Sequence, residues 1–163
     1  MKYFAYGSNM SIARLKDRVP SATRLGCYSL REHNLRFHKS SKDGSGKCDA
    51  YYTGNSDDCV IGALFEIDPN EKSVLDKAES LGCGYEEKTV RILGLNNDEI
   101  EAKTYYATKI DKSLKPYSWY LNHVLVGAKE THLPQEYIEK IEATESTQDL
   151  DKGRDAKQRA MYS

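Results

Sequence analysis

The sequence predicts an α+β protein, a mixed β-barrel or curled sheet flanked by α-helices. Three observations point there. The elements run strand, helix, several strands, helix, two strands, then helices, which is not the regular alternation of a doubly wound sheet. Residues 60–67 (VIGALFEI) are almost continuously apolar, as in a strand buried on both faces. Beyond Pro116, residues Tyr117, Leu121, Val124, Leu125 and Ala128 recur at the helix period.

The elements follow in order. Residues 2–6 hold Tyr3, Phe4 and Tyr6, good strand formers. A short helix over about Ser11–Arg18 is stopped by Pro20. Alternation over 22–38 predicts strands near Leu25–Leu30 and Asn34–His38, and SSKDGSGK at 40–47 reads as a polar, glycine-rich loop. Strands at 49–53 and 60–67 come next. In DPNE, Asp68 is an N-cap candidate, Pro69 takes the first helical position and Glu71 has capping-box spacing, so a helix should run to Glu79 or Ser80 before Gly82 and Gly84 break it. GYEEKTVRILG and EIEAKTYYAT flank a turn-like segment and predict a hairpin. The WYLNHVLVGAKE helix is followed by another that starts near Leu133-Pro134 and carries Tyr137, Ile138 and Ile141. The last fifteen residues are highly charged and have little to bury, a helix that docks or frays.

With 163 residues, 39% hydrophobic and 30% charged, the chain suits one globular domain. No apolar run approaches the roughly 20 residues of a membrane-spanning helix, and MKYFAYGSNM is too polar for a secretory signal. A cytoplasmic protein without membrane contact is expected. Cys27, Cys48, Cys59 and Cys83 form no CxxC pair and have no histidine at zinc-like spacing, so reduced thiols and no metal are expected. Residues 1–47 hold ten Lys/Arg against three Asp/Glu, while the remainder is acidic. The basic residues are scattered, with little aromatic interleaving, which argues against nucleic acid and for a solvated face or one lip of a site for an anionic substrate.

Two features could carry chemistry. In Tyr6-Gly7-Ser8-Asn9-Met10 a strand passes through a small-residue turn into a helix. Glycine lets a ligand approach the backbone, and successive N–H groups can form an anion nest. Ordinary turn chemistry is the alternative. Glu79 falls near a helix C-terminus among Leu75, Ala78 and Leu81. The helix dipole and partial burial would both raise its pKa, as suits a general base, whereas a solvated glutamate is the plainer reading. Of the twelve tyrosines, Tyr85, Tyr117 and Tyr120 are pocket candidates, with core packing as the commoner fate. His33, His38, His123 and His132 have no partner in a nucleophile motif, and His123 reads as structural or surface.

FAYGSNM at 4–10, VIGALFEI at 60–67, LDKAESLGCGYEEKTV at 75–90 and YLNHVLVGAKETHLPQEYIEKI at 120–141 together resemble the γ-glutamylcyclotransferase family, in the family's order and up to about residue 142. The resemblance implies a domain over residues 1–145, a mixed barrel with outer helices, and leaves 146–163 as a charged tail. It implies that Tyr6, Gly7, Ser8 and Asn9 bind the glutamyl part of a substrate, and the pattern of the turn adds Met10 to them. Glu79 becomes the catalytic acid/base and Tyr120 a substrate contact, to which the reading of the tyrosines adds Tyr85. Many relatives have glycine after that glutamate, where this chain has Ser80. The implied reaction closes the α-amine of a γ-glutamyl amino acid or amine onto its own γ-carbonyl, giving 5-oxoproline and a free amine, with no metal or cofactor. The small-molecule substrate is then the main partner, and the family's homodimers allow one here. A non-catalytic binding or interaction protein on the same fold is the alternative.

Overall fold

A computed structural model describes all residues, 1–163. Five strands close a barrel in the order β1-β5-β2-β6-β7: β1 (Lys2–Ala5), β2 (Thr23–Arg31), β5 (Cys59–Glu66), β6 (Tyr85–Leu93) and β7 (Glu99–Ala107). All pairs are antiparallel except β1–β7, which meet in parallel at Tyr3 and Lys103. The fold is therefore the mixed barrel that the element order predicts. Strands β3 (His33–Ser40) and β4 (Gly46–Tyr52) form a separate two-stranded sheet.

The apolar run at 60–67 lies between β1 and β2, and Val60, Ala63, Leu64 and Phe65 are wholly buried. With Phe4, Ile92 and Leu75 they form the core. Helices α1 (Ile12–Lys16), α2 (Lys72–Ala78), α3 (Ser118–Glu130), α4 (Gln135–Glu142) and α5 (Lys152–Arg159) flank it. Val124 and Ala128, on the periodic face of α3, are fully buried.

Local details depart from expectation. The first helix is shorter than Ser11–Arg18, because residues 8–10 form a separate 3-10 turn and Ser11 is the N-cap of α1. The start of α2 is a 3-10 turn over Pro69–Glu71 with Asp68 bonded to the Asn70 amide, and Glu71 accepts from the Ser21 amide instead of closing a capping box. The polar segment after β3 is a turn tied together by Asp43, whose carboxylate accepts from Ser41 Oγ, from the Ser45 amide and hydroxyl, and from Lys47 Nζ. Burial alone would raise the Asp43 pKa, but those donors outweigh it and hold the carboxyl well below its usual range.

Residues beyond α4 pack back on the body. Asp149 accepts from Trp119 Nε1 at 2.9 Å and from Arg154 through both oxygens, at 2.5 and 2.7 Å. Gln158 and Tyr162 reach His123. His123 is fully buried, a structural residue.

Candidate active site

The chain leaves β1 at Ala5, and the 3-10 turn Ser8–Met10 directs Asn9 across to the end of α2. Gly7 is needed there for space: a Cβ would lie 2.9 Å from Cys48 Cβ and 3.4 Å from the Tyr120 hydroxyl. Within the turn, Met10 N donates to Gly7 O and Ser11 N to Ser8 O, while the amides of Gly7, Ser8 and Asn9 donate to no protein acceptor. They are the N–H groups that a turn start leaves free for an anion.

Opposite them, α2 ends in a Schellman arrangement: Ser80 N bonds to Lys77 O and Leu81 N to Asp76 O. Ser80 has φ of 52°, the left-handed conformation glycine usually supplies. The expected glycine position is thus real, and serine fills it with the backbone turn intact. Glu79, the last residue before this reversal, has a side chain only 16% exposed.

Asn9 Nδ2 donates to Glu79 Oε1 at 2.6 Å and to the Tyr3 hydroxyl at 3.1 Å. Its Oδ1 accepts from Arg18 Nη1 at 3.0 Å, and the same nitrogen lies 3.4 Å from Glu79 Oε1. Burial and the helix end are therefore not the only influences on Glu79, as the sequence suggested. A guanidinium and an amide donor both anchor its Oε1.

A recess of about 30 Å³ sits between the turn and Glu79, walled by Tyr3, Tyr6, Tyr85, Tyr105, Tyr120 and Cys48. Tyr6 donates to Tyr105 O at 2.6 Å and Tyr85 to Cys48 O at 2.5 Å, while the Tyr120 hydroxyl accepts from the Cys48 amide at 3.0 Å. Burial pushes Tyr6, Tyr85 and Tyr120 well above the ordinary phenol pKa, so all three stay neutral. Burial also pushes the Cys48 thiol up to about 12, which leaves it a poor nucleophile. The recess opens into a cleft of about 480 Å³, and Ser8, Glu79, Tyr85 and Tyr120 border both.

The structure thus brings Tyr6, Gly7, Ser8, Asn9, Glu79, Tyr85 and Tyr120 around one recess. It does not bring Met10 there. Met10 is fully buried, its carbonyl accepts from Arg24 Nη2 at 2.6 Å, and it packs beneath α3 against Gly127. Tyr117 also lies elsewhere, its hydroxyl donating to Asp43 O. Sequence reasoning missed Tyr3, Tyr105 and Arg18. Tyr3 and Tyr105 meet edge to face with ring centroids 5.9 Å apart because β1 and β7 close the barrel, a contact no local pattern announces. Arg18 gave one faint signal, a cation at the end of the helix that follows the turn.

A barrel whose first strand empties into a free-amide turn, facing a carboxylate at a helix end, defines a class. A model of the AIG2-like family matches residues 59–141, and the chain belongs to that family. Within it the chain is 32% identical to the γ-glutamylcyclotransferase of Mus musculus over 148 residues, covering 88% of this chain and 78% of the relative, and 31% identical to that of Homo sapiens with the same coverage. A solved γ-glutamyl cyclotransferase superposes with a TM-score of 0.84 at 27% identity, covering 96% of this chain and 98% of the other. The relatives are enzymes, and the chain is an enzyme of their cyclotransferase kind.

Proposed function

We propose that the protein converts a γ-glutamyl amino acid or amine into 5-oxoproline and the free amine, with Glu79 as the single general acid/base. The observation that carries this reading is the 2.6 Å contact of Asn9 with Glu79 at the mouth of the recess, which sets a partly buried carboxylate opposite the free amides of the turn.

The substrate's nucleophile and electrophile share one short chain, so the main task is to hold a folded conformer. The turn amides suit either the substrate's α-carboxylate or the carbonyl oxygen as it becomes negative. The neutral tyrosines supply walls that exclude water. Glu79 takes a proton from the α-ammonium, the freed amine nitrogen bonds to the γ-carbonyl carbon, and Glu79 gives that proton to the leaving nitrogen as the amide bond breaks; the ring nitrogen then sheds its second proton, which Glu79 passes to the departing amine. Arg18 and Asn9 hold the Glu79 carboxyl group in place before that transfer.

The test is release of 5-oxoproline from γ-glutamyl dipeptides and γ-glutamylamines by the protein and by Glu79→Gln, which keeps the side-chain shape and removes the base. Turnover that falls about 10²-fold or more in the variant supports the assignment. A variant as active as the parent removes Glu79 from the chemistry.

A further inference from the structure

We propose that the outer cleft selects a leaving amine bearing two or more anionic groups, as an acidic amino acid or an acidic peptide does. The inference rests on the cyclisation reading above and names the part of the substrate that reading leaves open.

Six cations line the cleft, Arg14, Arg18, Lys39, Lys42, Lys47 and Lys109, against two carboxylates, Asp43 and Glu79. Arg18 pairs with Glu79 and Lys47 with Asp43. The other four cations have no carboxylate partner anywhere in the structure. Arg14 bonds only to neutral oxygens, those of Ser8 and Gln158. They come from four separate places: α1, the end of β3, the turn joining β3 to β4, and the segment after β7.

Lys39 is the most telling of them. It is 8% exposed overall, its ammonium faces the cleft, and neither of the cleft's carboxylates is within ion-pair distance of it. It lies over the Tyr85 ring at 4.7 Å from the centroid. Gly84 makes room for it: a Cβ at that position, where φ is +146°, would sit 2.9 Å from Lys39 Cε and 3.1 Å from Nζ. Glu79 and Asp43 act on Lys39 across the cleft but pair with Arg18 and Lys47 instead, so its charge is only partly answered. Burial pushes Lys39, Lys47 and Arg14 below their ordinary pKa values, and the neighbouring cation Arg18 adds to the effect at Arg14. An incoming anion relieves that strain. Lys47 is set beside the floor of the cleft, 4.6 Å and 4.7 Å from the ring centroids of Trp119 and Tyr120.

The recess is small and its walls are neutral, so whatever follows the glutamyl unit must lie in the cleft. One carboxylate there would answer one of four unpaired cations. A leaving group with two or more would answer a larger share. The bond changes are unaltered: the γ-amide C–N bond breaks, the ring C–N bond forms, and the proton passes from the α-amine to the leaving nitrogen, with no water or oxidant consumed.

The experiment compares kcat/KM for γ-glutamylglutamate, γ-glutamylalanine, γ-glutamylbutylamine and a γ-linked glutamate oligomer, at low and high salt. The expected result is a preference of about tenfold or more for γ-glutamylglutamate over γ-glutamylalanine at low ionic strength. Added salt should shrink that preference, because part of the cleft is open to screening. Joint replacement of the exposed Lys42→Gln and Lys109→Gln should cut the preference several-fold, with the larger loss on γ-glutamylglutamate. A further gain on the oligomer identifies an acidic peptide, and no gain identifies the free acidic amino acid. Turnover of γ-glutamylalanine or γ-glutamylbutylamine at least as efficient as that of γ-glutamylglutamate overturns the inference and leaves the cyclisation reading standing. Turnover of none of the four overturns both.

Discussion

The recess and the cleft share a wall and differ in almost everything else. The recess is a ring of tyrosines whose hydroxyls are spent on the backbone or on one another's neighbours, with Glu79 as its charged member. The cleft is wide, lysine-rich and mostly unpaired. Buried neutral walls hold a reacting group in place, because nothing in them reorganises when charge moves. Unpaired cations attract and sort ligands over a longer range but fix no single geometry. The contrast implies a division of labour, with bond making inside and selection outside, and each half can be perturbed alone.

The largest effect should come from the recess. Gly7→Ala would put a Cβ 2.9 Å from Cys48 Cβ, so the turn or β4 must move. Overpacking of this kind costs about 1–3 kcal/mol of stability. A displacement near 1 Å can cost about 10²-fold in rate. Activity assays on charged and neutral leaving groups should show kcat falling on both alike. A variant that lost one class of substrate only would merge the two regions into one.

A second perturbation acts behind the recess. His123 is fully buried and hydrogen-bonded to Gln158 and Tyr162. Burial lowers its pKa from 6.5 to about 4, with the cation Arg14 contributing. Its folded pKa lies below its unfolded one, so the unfolded chain binds more protons between those values. Stability is then fully present above about pH 6.5 and declines as pH falls toward 4. Urea unfolding at several pH values should show that slope, and His123→Gln should flatten it.

The smallest effect should come from the turn that ends α2, beside Glu79. Ser80 holds a left-handed φ of 52° that costs an L-residue about 1–2 kcal/mol. Ser80→Gly relieves that and loses part of the gain to unfolded-chain entropy. A net stabilisation of about 0.5–1 kcal/mol is expected by thermal or urea melts. The ratio of activities on charged and neutral substrates should not change.

Much of the barrel was legible because its signals are local. The unbroken apolar stretch of β5, the glycine-bounded hairpin β6–β7 and the apolar stripe of α3 each carry their structure in a few neighbouring residues. Glu79 and the Tyr6–Asn9 turn stood out only weakly by their own residues, and the resemblance singled them out. What surrounds them was not legible. Arg18 and Glu79 are 61 residues apart in sequence, and Tyr6 reaches Tyr105 across 99. Met10 misled because it follows the turn in sequence but points the other way, into the seat beneath α3. Five of the cleft's six cations belong to the excess visible in residues 1–47, yet their scattering concealed that the fold gathers them.

The brace behind the turn carries a consequence for how the molecule comes into being. Arg14 Nε donates to Ser8 Oγ at 3.1 Å, and the same guanidinium donates to Gln158 at 2.9 Å across 144 residues of sequence. Tyr162 meets Ser11 across 151. Contacts of such separation form late, since the whole intervening chain must first be ordered. A nascent chain synthesised as far as α4 already holds every barrel strand. It still lacks the residues that steady the Ser8–Met10 turn, so order in that turn should trail the appearance of native sheet structure during synthesis and refolding alike.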